Sequence, residues 1–378
     1  MTNILISGGA GFIGSNLALE LIRKGYQITV LDNLSPQIHG TNPEETSPLY
    51  HSIKEKVRFI KGSVTERESW EIALKNQDAV IHLAAETGTG QSMYEIEKYA
   101  KVNIHGTALL LDVLTNTKHC VSKLLVASSR AIYGEGRYLC ATHGEVYPPA
   151  RENSNMAKGD FESKCPVCDK DVQLLFTHEE SFIHPNSVYG ITKQTQEQLV
   201  MTVCPTINIA PVALRYQNVY GAGQSLSNPY TGILSIFSTQ IKNHHDLNIF
   251  EDGLESRDFV YIDDVVNATI SALENENANG QVFNVGTGVA TTVKMVAEVL
   301  IEKYKIPVKS IISGNYRLGD IRHNVADISK INAMLGFQPQ FTFSEGIQKF
   351  VNWVNLQDIQ EDKYDESVRE MKNKGLYK

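Results

Sequence analysis

The sequence predicts an α/β fold: a doubly wound parallel sheet with helices on both faces, joined to a smaller α/β domain. Three observations predict it. The first half of the 378 residues alternates short apolar runs with amphipathic stretches. A glycine-rich turn ends the first run and opens the first amphipathic stretch. The second half keeps both kinds of segment but in a less regular order. Strands that alternate with helices imply parallel pairing, because each parallel neighbour needs a crossover.

The strands expected in chain order are ILIS (4–7), ITVLD (28–32), VRFIKG (57–62), AVIHLA (79–84), KLLVASS (123–129) and INIAPVALR (207–215). Continuous apolar runs of this length suit strands buried on both faces. Phe12 to Lys24 carries Ile13, Leu17, Leu21 and Ile22 on one helical face, and Val102 to Leu114 carries Leu109, Leu110 and Val113. Further on come a strand FVYI (259–262), a helix over 263–275, a strand VFNVG (282–286) and a helix from about Val293 to Lys305. The expected division is a first domain over 1–213 with an insertion at 136–178, and a smaller domain over 214–378 with segments returning to the first. The charged tail from Gln357 onward reads as a solvated helix or a frayed end.

Bulk properties exclude several functions. The net charge of −8 argues against a nucleic-acid partner held through its phosphates. No apolar run approaches the roughly 20 residues of a membrane span. The start MTNILISGG lacks the basic segment and long apolar core of a secretion signal. A cytoplasmic location without disulfides is therefore expected.

The turn SGGAGFIGSN carries Gly8, Gly11 and Gly14 between the first strand and first helix. Glycines let the backbone approach a pyrophosphate closely, and the helix N-terminus offers free N–H groups to it. Asp32 ends the second strand, where an acid accepts both ribose hydroxyls of an adenosine. The sheet is thus Rossmann-type. Asp32 repels a 2′-phosphate, and Asn33 rather than an arginine follows it, so NAD is expected over NADP.

SVYGITK (187–193) places Tyr189 and Lys193 four residues apart, on one helix face. A phenol with a pKa of about 10 is a poor base until a neighbouring cation stabilises its phenolate. LLVASSRAIYG ends a strand in Ser128 and Ser129, at the sheet edge where such folds bind ligands.

Together with HLAAE (82–86), VNIHGT (102–107), RYQNVYG (215–221), RDFVYIDDV (257–265) and RLGDIRH (317–323), these segments resemble the extended short-chain dehydrogenase/reductases, the NAD-dependent epimerase/dehydratase family. The resemblance implies a catalytic set of Ser129, Tyr189 and Lys193. It implies a cofactor site of Gly8, Gly11, Phe12, Ile13, Gly14, Asp32, Asn33, Ser63, Val64, Leu83, Ala84, Ala85 and Asn103, with Tyr189 and Lys193. It implies a nucleotide diphosphate sugar held by Glu86, Thr87, Arg130, Asn218, Arg257 and Arg317, and a homodimer. The stretches ETGTGQSMYEIEKYAKVNIHGT, SSRAIYGEGRY and NPYTGI (228–233) are similar to the dTDP-L-rhamnose 4-epimerase subgroup. Two positions depart from the family pattern. Family dehydratases carry an Asp-Glu pair after the catalytic hydroxyl, where this chain has Arg130 and Ala131. The usual Gly-Asp strand end reads Gly62-Ser63, which weakens one expected contact to adenine. The reading is a 4-epimerase; a 4-ketoreductase and a non-catalytic sensor are the alternatives.

The connection from Tyr133 to Tyr189 far exceeds the roughly 12–15 residues of a loop without its own structure. It carries Cys140 and His143 as C-x2-H, then Cys165 and Cys168 as C-x2-C. Two such turns make a closed tetrahedral set suited to structural zinc. A zinc knuckle is the expected organiser of the insertion. Cys120 and Cys204 read as small buried hydrophobes.

Overall fold

A computed structural model describes residues 2–230 and 232–378; Thr231, inside the 228–233 stretch quoted above, lies outside the described residues. The main sheet has seven strands: β1 (Asn3–Ser7), β2 (Gln27–Asp32), β3 (Arg58–Lys61), β4 (Ala79–His82), β5 (Lys123–Ser129), β6 (Ala210–Tyr216) and β7 (Gln281–Val285). They run parallel in the order β7-β6-β5-β4-β1-β2-β3. The order reverses direction between β1 and β4, which opens a crevice at the carboxyl ends. Alternate residues serve two cores. Ile4 and Ile6 join the layer of helices Phe12–Arg23 and Ile262–Glu274. Leu5 joins Trp70, Leu110, Leu114 and Val200 on the opposite face, beneath helices Gly106–Asn116 and Val188–Val203.

Three details differ from the sequence reading. β6 begins at Ala210, because Cys204–Ile207 forms a 3-10 turn and Asn208 takes a left-handed φ of +58°. β6 also crosses the expected boundary at 213. β7 is a second-half segment that lies in the main sheet as its edge strand, with helix Ile262–Glu274 in the crossover. Cys204 is buried as expected, but Cys120 is exposed, beyond the helix that ends at Asn116.

The smaller half is built on strand Ser256–Tyr261, which pairs with Asn218–Tyr220, Ala290–Thr292 and His323–Asn324. The charged tail is not frayed. Helix Tyr364–Asn373 buries Val368 and Met371, and they cluster with Tyr377, Phe250 and Tyr364. Among the described residues no helix is long and apolar enough to cross a membrane.

The insertion folds as a small antiparallel sheet of Tyr138–Cys140, Gly144–Val146 and Gln173–Leu174. Its core is minimal: Tyr138, Cys140, Val146 and Cys165. Ion pairs fix it to the smaller half. Arg151 donates to both oxygens of Glu251 at 2.8 Å. Arg322 is fully buried and donates to Glu162 (2.6 Å), Asp252 (2.7 Å) and Glu251 (3.0 Å).

Removing that guanidinium strands buried Glu251 beside other carboxylates. Arg322→Met is expected to cost about 3 kcal/mol. A thermal unfolding midpoint equal to that of the unaltered chain would contradict the assignment.

Candidate active site

One cavity of about 600 Å³ runs along the carboxyl edge of the sheet. At one end the turn after β1 packs tightly. A Cβ at Gly14 would lie 2.4 Å from the Gly8 carbonyl oxygen, so the helix starts hard against the turn only because the side chain is absent. Asp32 faces this end, its carboxylate accepting from the N–H groups of Ala10 (3.0 Å) and Leu34 (2.9 Å). Burial raises its pKa, while those N–H groups and His39 oppose the shift. His39, which no motif or spacing singles out, also lines this end. Ser63 and Val64 line it too, but the Ser63 hydroxyl is engaged by Thr65 at 2.8 Å.

At the middle of the cavity stand Ser129, Tyr189 and Lys193. β5 ends at Ser129, whose hydroxyl accepts from the Ala131 N–H (3.1 Å) and starts a 3-10 turn over Arg130–Tyr133. Ser187 caps the helix Val188–Val203 by accepting from the Gly190 N–H at 3.1 Å. Gly190 matters sterically: a Cβ there would sit 2.5 Å from the Ala131 carbonyl oxygen. The helix therefore touches the turn directly and brings Tyr189 to Ser129. Burial raises the Tyr189 phenol, and the Ser129 hydroxyl and the Arg130 guanidinium pull it back.

Burial pushes Lys193 down to about 7. Its ammonium donates to Gln196 Oε1 (2.8 Å), and the Gln196 amide donates to the Thr107 hydroxyl (2.7 Å). His82 lies 2.9 Å from the same hydroxyl and is kept neutral, pushed down to about 3 by burial and then by Lys193. Gln196, Thr107 and His82 stand in or beside quoted motifs, yet no spacing marks them as a buried chain behind the lysine.

Leu83, Ala84, Ala85, Glu86 and Thr87 line the cavity, as do Gly8, Gly11, Phe12, Ile13 and Asn33. Asn103 does not. It is fully buried, and its amide bonds the backbone N–H and C=O of Glu86 (2.8 and 3.1 Å) and the Thr192 hydroxyl (2.9 Å). A π-helical segment, Ala100–His105, aims it there. Asn103 positions the loop that faces the ligand rather than touching it.

Beyond Tyr189 the wall is cationic. Arg130 Nε donates to Asn218 Oδ1 at 2.6 Å, and burial with nearby Arg257 lowers its guanidinium to about 10. Arg257 and Arg317 share Asp320, at 3.2 and 2.7 Å. Burial alone would raise the Asp320 carboxyl; Arg317, Arg257, Arg151 and Arg130 hold it far below the usual range. Arg257 pairs with neither Asp258 nor Asp263, since Asp258 instead accepts from Thr287 and Gly288. Glu251 and Glu255 line the cavity beside these three guanidinium groups as well.

In the insertion, Cys140 Sγ lies 3.8 Å from Cys168 Sγ and 3.5 Å from His143 Nδ1, and Cys165 Sγ lies 3.5 Å from the same nitrogen. All four donor atoms fall within 4.8 Å of one another. No residue from 132 to 188 lines the cavity.

Residues 4–156 and 163–286 match the model of the NAD dependent epimerase/dehydratase family. The chain belongs to that family. Among its relatives, the dTDP-L-rhamnose 4-epimerase of Burkholderia thailandensis is 36% identical over 355 residues, covering 93% of this chain and 94% of that protein. The UDP-glucose 4-epimerase of Thermotoga maritima, solved with UDP-glucose, superposes with a TM-score of 0.76 at 30% identity, covering 94% and 99% of the two chains. The UDP-glucuronic acid 4-epimerase of Bacillus cereus, solved with UDP-glucuronic acid and NAD, gives 0.76 at 25% identity with the same coverage. This chain is thus an NAD-dependent enzyme of the epimerase family. The close turn at Gly14 and the oriented Asp32 carboxylate fit that cofactor.

Asp32→Ala removes an acceptor for ribose hydroxyls and two contacts that shape the turn. NAD affinity should fall at least about tenfold, since a charged hydrogen bond contributes roughly 1.5–3 kcal/mol. The preference for NAD over NADP should narrow. Calorimetric titration with both cofactors checks this, and an unchanged ratio contradicts it.

Proposed function

We propose that the chain is a nucleotide-sugar 4-epimerase, acting on dTDP-L-rhamnose or a related dTDP-, UDP- or GDP-hexose. The observation that carries this is one continuous cavity in which Ser129, Tyr189 and Lys193 stand between the Asp32 end and the arginine wall. Arg257, Arg317, Asn218 and Arg130 hold the diphosphate, whose oxygens suit guanidinium forks. Glu86 and Thr87 border the sugar. Tyr189 Oη takes the proton of the sugar 4-hydroxyl, which also hydrogen-bonds to Ser129. Lys193 stabilises the phenolate and holds the nicotinamide ribose. NAD held at the Asp32 end of the cavity would supply a reversible hydride acceptor for C4. Between the two transfers the keto sugar turns about its diphosphate tether, so that hydride would return to the opposite face of C4 while Tyr189 gives its proton back to the C4 oxygen. The protein's contribution is orientation and a dry, preformed field. Arg130 and Ala131 offer no acid or base next to Ser129, which disfavours loss of water across C5 and C6.

The experiment is incubation with dTDP-L-rhamnose and no added cofactor, with detection of the C4 epimer. Tyr189→Phe should abolish turnover and keep NAD bound. An active Tyr189→Phe variant contradicts the assignment.

We assign Cys140, His143, Cys165 and Cys168 to a structural zinc. Tetrahedral ligands at about 2.3 Å (sulfur) and 2.0 Å (nitrogen) from one ion stand about 3.8 Å (S–S) and 3.5 Å (S–N) apart. The distances above fit that set. Four protein ligands leave no open position, and the insertion stays out of the cavity, so this metal does not act on substrate. Its binding would offset the ordering cost of a segment with a minimal core. Purified protein should carry about one zinc per chain, and Cys165→Ser should lose it with a lower unfolding midpoint. Equal zinc content in the variant removes the idea.

A further inference from the structure

The cavity has an outer wall that comes from the far end of the chain. Tyr364, Ser367 and Met371 line it alongside Arg257, Arg317 and Asn218. They recur at i, i+3 and i+7 on helix Tyr364–Asn373, so one face of that helix is turned to the cavity. Ser367 is 3% exposed and Met371 7%, in a segment otherwise dense in charge.

This wall is tied down at both ends of the substrate arm. At one end the Tyr364 hydroxyl accepts from the Asn248 amide (2.9 Å), and Tyr377 stands edge-on to Phe250 with ring centroids 5.3 Å apart. The last residues form a ladder with the segment carrying Arg317. Tyr316 and Lys378 exchange backbone bonds at 3.1 and 3.0 Å, and the Leu318 N–H donates to the Leu376 carbonyl at 2.9 Å. Arg317 in turn lies over the Phe250 ring, 5.2 Å from its centroid. At the other end the Tyr230 hydroxyl donates to Glu370 (2.7 Å), and Lys374 lies over the Tyr94 ring. Met371 Sδ sits 3.7 Å from where a Gly90 Cβ would be, over the loop that follows Glu86 and Thr87.

With the sugar at Tyr189 and the diphosphate at Arg257 and Arg317, the nucleoside extends toward Asn248, Phe250 and Tyr364. We propose that the C-terminal segment Tyr364–Lys378 completes the nucleotide-sugar site, with Tyr364 and Ser367 facing the nucleoside, Met371 facing the loop after Thr87, and the Tyr316–Lys378 ladder holding Arg317 toward the diphosphate. The proposal rests on the nucleotide-sugar reading above. It makes these residues determinants of substrate affinity, although they lie beyond the family match that ends at residue 286.

The test is calorimetric titration of the NAD-bound protein with uridine diphosphate and with thymidine diphosphate. Ser367→Phe puts a ring into the cavity from the outer wall and should weaken binding of the better diphosphate at least tenfold. A chain ending at Gln360 should weaken it further, because the ladder on Arg317 is lost too. Both variants should keep bound NAD and an unfolding midpoint close to that of the unaltered chain. Glu366→Ala, on the exposed face of the same helix, should bind as the unaltered chain does. Should the truncated chain fail to fold, Ser367→Phe alone decides. Unchanged affinity in a folded Ser367→Phe variant overturns the proposal and leaves the epimerase reading standing. An unaltered chain that binds neither diphosphate overturns both.

Discussion

Arg215 is the point on which the active site depends. Arg215 is 4% exposed and its guanidinium meets three separate segments. It donates to both oxygens of Glu197 on the catalytic helix (3.0 and 2.5 Å), to the Tyr133 hydroxyl in the turn after Ser129 (2.6 Å), and to the Glu179 carbonyl at the end of the insertion (2.7 Å). Arg215 itself sits in β6, next to β5 in the sheet. Ser129 and Tyr189 are separated by the whole insertion, so chain connectivity does little to bring them together. A buried cation with its acid matched converts that long closure into a fixed geometry, because leaving either charge unpaired there is costly. The glycine contact at Ala131 sets the final spacing, and Arg215 keeps the elements that make it in register.

A second shared charge organises the substrate arm. Asp320 keeps Arg257 and Arg317 side by side where three guanidinium groups would otherwise repel one another. The site is thereby assembled before an anion arrives, which lowers the ordering cost of binding. The insertion reinforces this arm from behind through Arg151 and Glu162 without entering the cavity.

Much of this was legible in the sequence, for identifiable reasons. Gly8, Gly14, Asp32, Tyr189 and Lys193 are local: each acts within one turn, strand end or helix face, so spacing reveals it. The Cys/His set could be read despite its long separation because two short ligand pairs are unusual in a segment with so little apolar content. Asn103 lies behind the cavity wall, bonded to the Glu86 backbone and Thr192, and no local pattern signals those partners. The VFNVG strand was legible as a strand, but its place at the edge of the main sheet depends on a crossover packed far away in sequence. The tail read as solvated because its inward residues, Ser367, Val368 and Met371, are sparse among charges. Phe250, against which Val368 and Met371 cluster, lies more distant in sequence than any local pattern can reach.

In the proposed reaction one hydride leaves C4 of the sugar and returns to the same carbon inside a closed site, with Tyr189 handling the proton. The most direct measurement uses dTDP-L-rhamnose deuterated at C4, incubated with the protein and no added cofactor, followed by mass analysis of the C4 epimer. The expected product is epimer that retains the deuterium at C4. Epimer that has lost it, or turnover that requires added reduced cofactor, would contradict the account.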